Sequence, residues 1–157
     1  GVTPSDAARA VRATGAGAGR GAVTHLPGGG TVVDDSYNAN PAAVNAALQV
    51  LSRQPGYRVL VLGPMLELGE NSQSLHQEVG RNARQLGIDK LITVGGEATP
   101  AAEAFGRDAL CFDDQAALQS DFPALPAEYT IWVKGSRGAG LEHTVAWLLA
   151  SGGATAC

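Results

Sequence analysis

The alternation of short apolar runs with amphipathic stretches is the feature of this 157-residue sequence that most constrains its fold. Apolar runs with the length and composition of buried strands occur at "YRVLVLG", "KLITVGG", "ALCF" and "YTIWVKG". The stretches between them have helical periodicity, and in one of them the residues on a common face are Val44, Ala47, Leu48 and Leu51. Because parallel neighbouring strands need a helix between them, this order predicts a mostly parallel, Rossmann-like α/β sheet with helices on both faces.

The N-terminal part of the sequence predicts a hairpin and a domain boundary. "VTHL" and "TVVDD", separated by the turn "PGGG", indicate an N-terminal β-hairpin. Before it, "TPSDAARAVRAT" predicts a helix capped by Thr3, and "GAGAGRGA" has the composition of a linker. We therefore assign residues 22–157 to one domain, and we expect residues 1–21 to be the end of a preceding domain plus a linker in a longer chain.

The composition argues against several classes of partner. The net charge is −4, only 17% of the residues are charged, and no basic stripe occurs, so nucleic acid or an anionic membrane is not expected as the main partner. No apolar stretch reaches the roughly 18 residues of a membrane helix, and no signal segment is present. Cys111 and Cys157 lack C-x-x-C spacing and are expected to be reduced, which predicts a cytoplasmic protein.

Several functional motifs can be excluded from the sequence. His25, His76 and His143 lack metal-ligand spacing, so no metal site is predicted. His76 is expected to form hydrogen bonds either as a structural residue or as one that supports a residue of the site. No G-x-x-x-x-G-K-[ST] occurs, so the sequence contains no phosphate-cradling loop for ATP. "GAGAGRGA" has G-x-G-x-x-A spacing, but a predicted helix precedes it where the dinucleotide fingerprint requires a strand.

A polar loop follows the second predicted strand, and ligands of parallel α/β sheets bind beyond the carboxyl ends of the strands. In "VVDDSYNANP" the residues predicted to lie on that edge are Asp34, Asp35, Ser36, Tyr37 and Asn38. An aspartate in this place can accept both hydroxyls of a ribose. The alternative is a local cap and turn, because Asp, Asn and Ser favour such loops and Asn40 is placed to cap the next helix.

Two further strand-to-helix loops carry charges of opposite sign. "GPMLELGENS" contains Glu67 and Glu70, and it is either a solvated loop or one packed through Met65 and its apolar neighbours. "VKGSRGAG" places Lys134 and Arg137 before a helix start, where backbone N–H groups also favour anions. This third loop predicts a site for a carboxylate or phosphate, with a glycine-rich turn carrying two solvated cations as the alternative.

The segments "DDSYNANP", "GPMLELGENSQSLHQEVG" and "VKGSRGAGLEHTV", in this order and spacing, resemble the C-terminal domain of the Mur ligases. The resemblance runs from about Gly21 to the C-terminus, and the residues before it look like the end of the family's central ATP-binding domain. It implies an ATP-dependent ligase of bacterial peptidoglycan synthesis, in the branch that joins D-Ala-D-Ala to UDP-N-acetylmuramoyl-tripeptide. ATP would phosphorylate the tripeptide carboxylate, and the dipeptide amine would attack the acyl phosphate.

The resemblance also implies roles for individual residues. Asp35 matches the family's acidic contact to the ATP ribose, and Asn38 and Asn40 match the part of the loop that faces the nucleotide. The residues expected to bind substrate are Ser36, Lys134, Ser136 and Arg137. The central domain would hold the phosphate loop and Mg²⁺, so ATP and Mg²⁺ are expected to bind mainly outside this domain, in which no catalytic or metal-binding residue is assigned. We therefore predict that residues 1–157 alone fold but do not ligate.

Two positions depart from the family pattern. Pro64 stands where the family has the aspartate of G-D-M, so a contact from that position is not carried over. Gly138 and Ala139 follow "KGSR" where Ser-Met or Ser-Ala is frequent. Two other functions stay open: a stand-alone nucleotide-binding or partner-docking module, and a phosphoacceptor receiver-like domain. The receiver-like domain requires an aspartate after the middle strand, where this sequence has Gly63.

Overall fold

The computed structural model describes residues 19–152, so the predicted opening helix, the first half of the predicted linker and Cys157 lie outside the described residues. The strands are β1 (Ala22–His25), β2 (Gly30–Asp35), β3 (Tyr57–Leu62), β4 (Lys90–Val94), β5 (Ala109–Phe112) and β6 (Tyr129–Lys134). The helices are α1 (Pro41–Leu51), α2 (Ser72–Gln85), α3 (Thr99–Phe105), α4 (Gln115–Ser120) and α5 (Glu142–Ala150). Every strand and helix predicted within this range is present.

The strands form one six-stranded sheet in the order β1-β2-β6-β3-β4-β5. The β1–β2 pair is antiparallel and is the predicted N-terminal hairpin. All other neighbouring pairs are parallel, which confirms the mostly parallel α/β fold. This order makes β2, β6 and β3 consecutive neighbours, so the chain segments that leave their carboxyl ends emerge side by side.

Two apolar cores lie on opposite faces of the sheet, as expected for helices on both faces. The first core receives Val44 from α1, Val79 from α2 and Phe105 from α3. The second receives Leu118 from α4 and Leu148 from α5. The predicted face of α1 is the buried one, since its buried residues are Val44, Ala47, Leu48 and Leu51. The cores therefore bury both faces of the central strands.

Local chemistry fixes where α1 begins. Asn40 is the N-cap in extended conformation, and its side chain accepts a hydrogen bond from the Ala43 amide at 2.8 Å. Pro41 occupies the first helical position, where a missing amide proton has no cost. The first polar loop therefore ends abruptly at Asn40, directly above the sheet edge.

Strand β2 includes Asp34 and Asp35, as the predicted hairpin strand "TVVDD" does. Asp34 and Asp35 are paired in parallel with Val133 and Lys134 of β6. The ladder to β6 therefore continues to the end of that strand. Because side chains alternate along a strand, the two aspartates point to opposite faces of the sheet. Within residues 19–152, no helix is long and apolar enough to cross a bilayer.

Candidate functional site

The three polar loops lie together at one edge of the sheet, as predicted. They follow β2, β3 and β6, which are adjacent strands in the order β2-β6-β3. The Gly63 amide donates to the Lys134 carbonyl at 2.9 Å, and the Ser136 amide donates to the Pro64 carbonyl at 3.1 Å. The loops after β3 and β6 are therefore joined by backbone hydrogen bonds as well as by proximity.

Asp35 and Lys134 form an ion pair at this edge. Lys134 Nζ donates to Asp35 Oδ2 at 2.8 Å and to the Asn38 carbonyl at 3.0 Å. The same carboxylate oxygen accepts from Trp132 Nε1 at 3.0 Å. The Lys134 side chain is only 5% exposed and that of Asp35 is 19% exposed. Lys134 is thus a largely buried cation that holds the first loop, and at most one of its three donors is left for an anion.

Asp35 keeps one oxygen for a further partner. Its Oδ1 accepts no hydrogen bond from the residues that the structure describes, whereas Oδ2 accepts two. A carboxylate held in this way is oriented by Trp132 and Lys134 and still presents a free acceptor. The predicted contact with ribose hydroxyls remains compatible with this geometry and remains a prediction.

The other predicted polar residues of the first loop also have partners inside the domain. Ser36 is buried, and its hydroxyl donates to Asp34 Oδ1 at 2.6 Å. Asn38 Oδ1 accepts from the Ala39 amide at 2.9 Å. The Asn40 side chain caps α1, as described above. Each of these three side chains thus forms one local hydrogen bond, as the cap-and-turn interpretation predicts. The Asn38 and Asn40 side chains are also exposed at this edge of the sheet.

Tyr37 and two arginines form an exposed part of the site. The Tyr37 side chain is 38% exposed. The Cζ atom of Arg20 lies 4.1 Å from the Tyr37 ring centroid, and that of Arg137 lies 5.4 Å from it. Within residues 19–152 Arg137 forms no ion pair, so its guanidinium group is the cation of the third loop that is available to an anion.

The two guanidinium groups change the acidity of Tyr37. Hydrogen bonding from Arg20 and the positive charge of Arg137 lower the pKa of the Tyr37 phenol from its ordinary value. Both effects favour the phenolate, which is an anion. The two guanidinium groups are therefore the charges that act on the Tyr37 phenol, and Arg20 is the one that the sequence analysis did not single out.

A shallow cavity of about 230 Å³ lies beside this corner. Its lining consists of Gly19, Asp34, Ser36, Tyr37, Arg137 and Glu142. The chain enters the domain here, since the Gly19 amide donates to Asp34 Oδ2 at 3.1 Å and the Tyr37 amide donates to the Gly19 carbonyl at 2.8 Å. The last linker residues are therefore attached to the first loop of the site.

The second loop is packed at its start and solvated at its end, where both of its glutamates are exposed. Met65 is fully buried, Leu68 is partly buried, and only Leu66, at 38% exposure, contradicts the expectation that these apolar residues are buried. Leu66 is exposed because its side chain lies at the rim, beside Gly138 of the third loop. Glu67 follows with φ of 61°, an uncommon value for a residue with a side chain.

The side chains of the described residues do not meet the requirements of a metal site. Among residues 19–152, no group of three or more His, Cys, Asp or Glu side chains is arranged to hold a metal ion. The carboxylates of the edge have other contacts, such as Asp35 with Lys134 and Asp34 with Ser36. The described residues therefore do not fit a resident Mg²⁺.

The sheet order and the grouped polar loops define a doubly wound α/β domain that presents its ligand site at the carboxyl edge of the strands. Comparison with known proteins then assigns the family. The model of the family described as "Mur ligase, glutamate ligase domain" matches residues 19–137, and the chain belongs to that family.

Curated relatives and solved structures agree with this assignment. UDP-N-acetylmuramoyl-tripeptide–D-alanyl-D-alanine ligase of Escherichia coli is 44% identical over 124 residues, 77% of this chain and 27% of the relative. The Bacillus subtilis enzyme of the same name is 31% identical, over 96% of this chain and 35% of the relative. The chain therefore spans about a third or less of the length of these relatives.

Two crystal structures show the same fold. MurF from Acinetobacter baumannii superposes with a TM-score of 0.75 at 32% identity, over 85% of this chain and 31% of that chain. MurF ligase from Thermotoga maritima in complex with ADP superposes with a TM-score of 0.72 at 26% identity, over 87% of this chain and 32% of that chain. The predicted fold and the predicted family resemblance are both confirmed.

Proposed function

We propose that this chain is the C-terminal domain of an ATP-dependent ligase that joins D-Ala-D-Ala to UDP-N-acetylmuramoyl-tripeptide in the bacterial cytoplasm. The observation that carries the proposal is the convergence of three polar loops at one sheet edge in a domain of this family. The matching relatives carry this activity in their names. ATP supplies the phosphoryl group that activates the tripeptide carboxylate when it is bound, and a central domain would hold most of it.

In this proposal the first loop faces the nucleotide. Asp35 is oriented by Trp132 and Lys134, and its free Oδ1 would accept the ribose hydroxyls. Asn38 and Asn40 are exposed on the same loop and would lie along the nucleotide. Lys134 contributes by holding Asp35 and the Asn38 carbonyl, so its effect on ligands is mainly through the position of this loop.

The third loop, with Arg137, faces the incoming dipeptide. D-Ala-D-Ala carries a carboxylate, and a planar guanidinium group binds carboxylates in a bidentate manner. Arg137 is exposed beside the Tyr37 ring, so it can reach a ligand without breaking an ion pair of the described residues. Ser36 and Ser136 are both buried, and they would shape this region from behind rather than lie open to solvent.

The test uses the full-length enzyme with Asp35→Asn and Arg137→Ala. Asp35→Asn keeps an acceptor for Trp132 and is expected to raise the KM for ATP about tenfold, whereas Arg137→Ala is expected to raise the KM for D-Ala-D-Ala about tenfold. Arg107→Ala is the matched control, because Arg107 is exposed just before β5, at the opposite edge of the sheet. Unchanged constants in both variants would remove the site assignment, and no ligation by the wild type would remove the function.

A further inference from the structure

Two consecutive backbone amides of the second loop are held by side chains from other parts of the domain. The Met65 amide donates to His76 Nε2 at 3.0 Å. The Leu66 amide donates to Ser136 Oγ at 2.8 Å. These side chains come from α2 and from the third loop, so the second loop is fixed from both sides at the point where it reaches the rim.

The hydrogen bonds of His76 determine its tautomer. Its Nδ1 lies 2.7 Å from the Ser72 carbonyl oxygen, which can only accept, so Nδ1 carries the proton. The unprotonated Nε2 is then the acceptor for the Met65 amide. The residue is 0% exposed, and both ring nitrogens are used inside the domain. His76 is thus a buried, oriented acceptor, which agrees with the structural role expected from the sequence but gives it a specific target.

The second loop, which His76 holds at the Met65 amide, contacts the segment that carries Arg137, the residue proposed to bind the dipeptide. Ser136 Oγ accepts the hydrogen bond of the Leu66 amide and donates to the Ala39 carbonyl at 3.4 Å. Arg137 is the next residue in the chain. The Leu66 side chain lies against Gly138, where an added Cβ would be 3.2 Å from Leu66 Cδ1. A displacement of Met65 and Leu66 would therefore move both flanks of Arg137.

We propose that His76 is a positioning residue for the binding of the dipeptide. It acts through the Met65 amide, which sets the second loop against which Ser136 and the Arg137 segment pack. This inference rests on the proposed function for the identity of the ligand, although the loop contacts do not depend on it. His76 itself touches no ligand, since it is fully buried. Small displacements of a binding group are costly because productive geometry tolerates little error.

The kinetic test compares His76→Leu with His76→Gln in the full-length enzyme. Leucine offers no acceptor to the Met65 amide, and we expect the KM for D-Ala-D-Ala to rise about tenfold while the KM for ATP changes by less than about twofold. The side-chain oxygen of glutamine replaces Nε2 as acceptor, so His76→Gln is expected to recover most of this loss. His25→Leu is the matched control, because His25 is exposed on β1.

A second measurement separates this inference from the proposed function. Hydrogen exchange of the Met65 and Leu66 amides in the full-length enzyme should be faster in His76→Leu than in the wild type, and near wild type in His76→Gln. Retained protection in His76→Leu overturns the inference, as do equal losses in the leucine and glutamine variants for both substrates. If the wild-type enzyme does not ligate, the proposed function fails, and the exchange result alone still decides whether His76 holds the loop.

Discussion

At the scale of single residues, the site separates cations that look equivalent in the sequence. Lys134 and Arg137 lie three positions apart in the same glycine-rich segment. The register of the sheet pairs Lys134 with Asp35, whereas Arg137 lies beyond the strand and stays exposed. That register joins residues 99 positions apart, so local patterns could not reveal it. The sequence therefore predicted an anion site but not which of its two cations is free.

The difference between the two cations predicts unequal effects of their substitution on stability. Lys134→Met leaves the largely buried Asp35 carboxylate without its counter-ion, and the free energy of unfolding should fall by about 3 kcal/mol. Arg137→Met changes an exposed side chain and should alter it by less than about 0.5 kcal/mol. Urea denaturation followed by circular dichroism measures both. Similar stabilities for the two variants would mean that Lys134 is not buried in an ion pair.

Tyr37 gives a prediction for the pH dependence. Arg20 and Arg137 lower its phenol pKa, whereas burial raises the pKa of Tyr57 and Tyr129. In a protein with three tyrosines, phenolate absorbance should therefore rise in separate stages, with Tyr37 ionising first. Tyr37→Phe should remove the first stage, and Arg137→Ala should move it toward the ordinary value of about 10.

The same shifts fix the sign of the stability change. Between the lowered pKa of Tyr37 and about 10, the unfolded chain binds more protons, so Tyr37 makes stability increase with pH in that window. Above about 10, the unfolded chain releases the protons of Tyr57 and Tyr129 first, and stability falls as pH rises. A single ionisation stage for all three phenols would show that Arg20 and Arg137 do not lower the pKa of Tyr37.

At the scale of helices and strands, the periodic pattern was sufficient for most of the fold. The buried face of α1, the hairpin and the parallel strands follow from apolar spacing and from cap and turn residues. The close approach of α2 and α3 could not be predicted from sequence in the same way. It depends on Gly80, where an added Cβ would lie 2.0 Å from the Ala101 carbonyl oxygen. In the sequence, a glycine inside a helical pattern only weakens the helix prediction. The structure shows that a glycine is needed there because the neighbouring helix leaves no room for a side chain.

This contact predicts an unusual outcome for Gly80→Ala. In an open helix the change would stabilise by about 1 kcal/mol through helix propensity. Here the new methyl group overlaps backbone that cannot move without separating α2 from α3, so we expect a net loss of about 1–3 kcal/mol. Gly96→Ala is the matched control, because no atom lies within 4 Å of its added Cβ. The midpoints of urea denaturation compare the two variants, and a more stable Gly80→Ala domain would show that the helices are not in contact there.

At the scale of the whole molecule, the apolar cores lie on the two faces of the sheet and the polar site lies at its carboxyl edge. Both apolar cores are built from residues of the described range, on either side of one sheet. The site, by contrast, leaves exposed three of the residues whose proposed partners are ligands, namely Asn38, Asn40 and Arg137. The sequence could predict this division because the loops follow recognisable strands, whereas the hydrogen bonds that lock Ser36 and Ser136 inward depend on the assembled edge.

The 157-residue chain by itself is predicted to fold without catalysing ligation. It should unfold cooperatively, because two apolar cores built from residues 19–152 cover the two faces of one sheet. It should not ligate, because the printed sequence has no phosphate-cradling G-x-x-x-x-G-K-[ST] and the described residues have no metal-binding cluster. ATP-dependent phosphate release in the presence of both substrates, with the full-length enzyme as the positive control, measures this. Release above background by the chain alone would show that the three loops form a complete catalytic site, and the proposed dependence on a central domain would then be wrong.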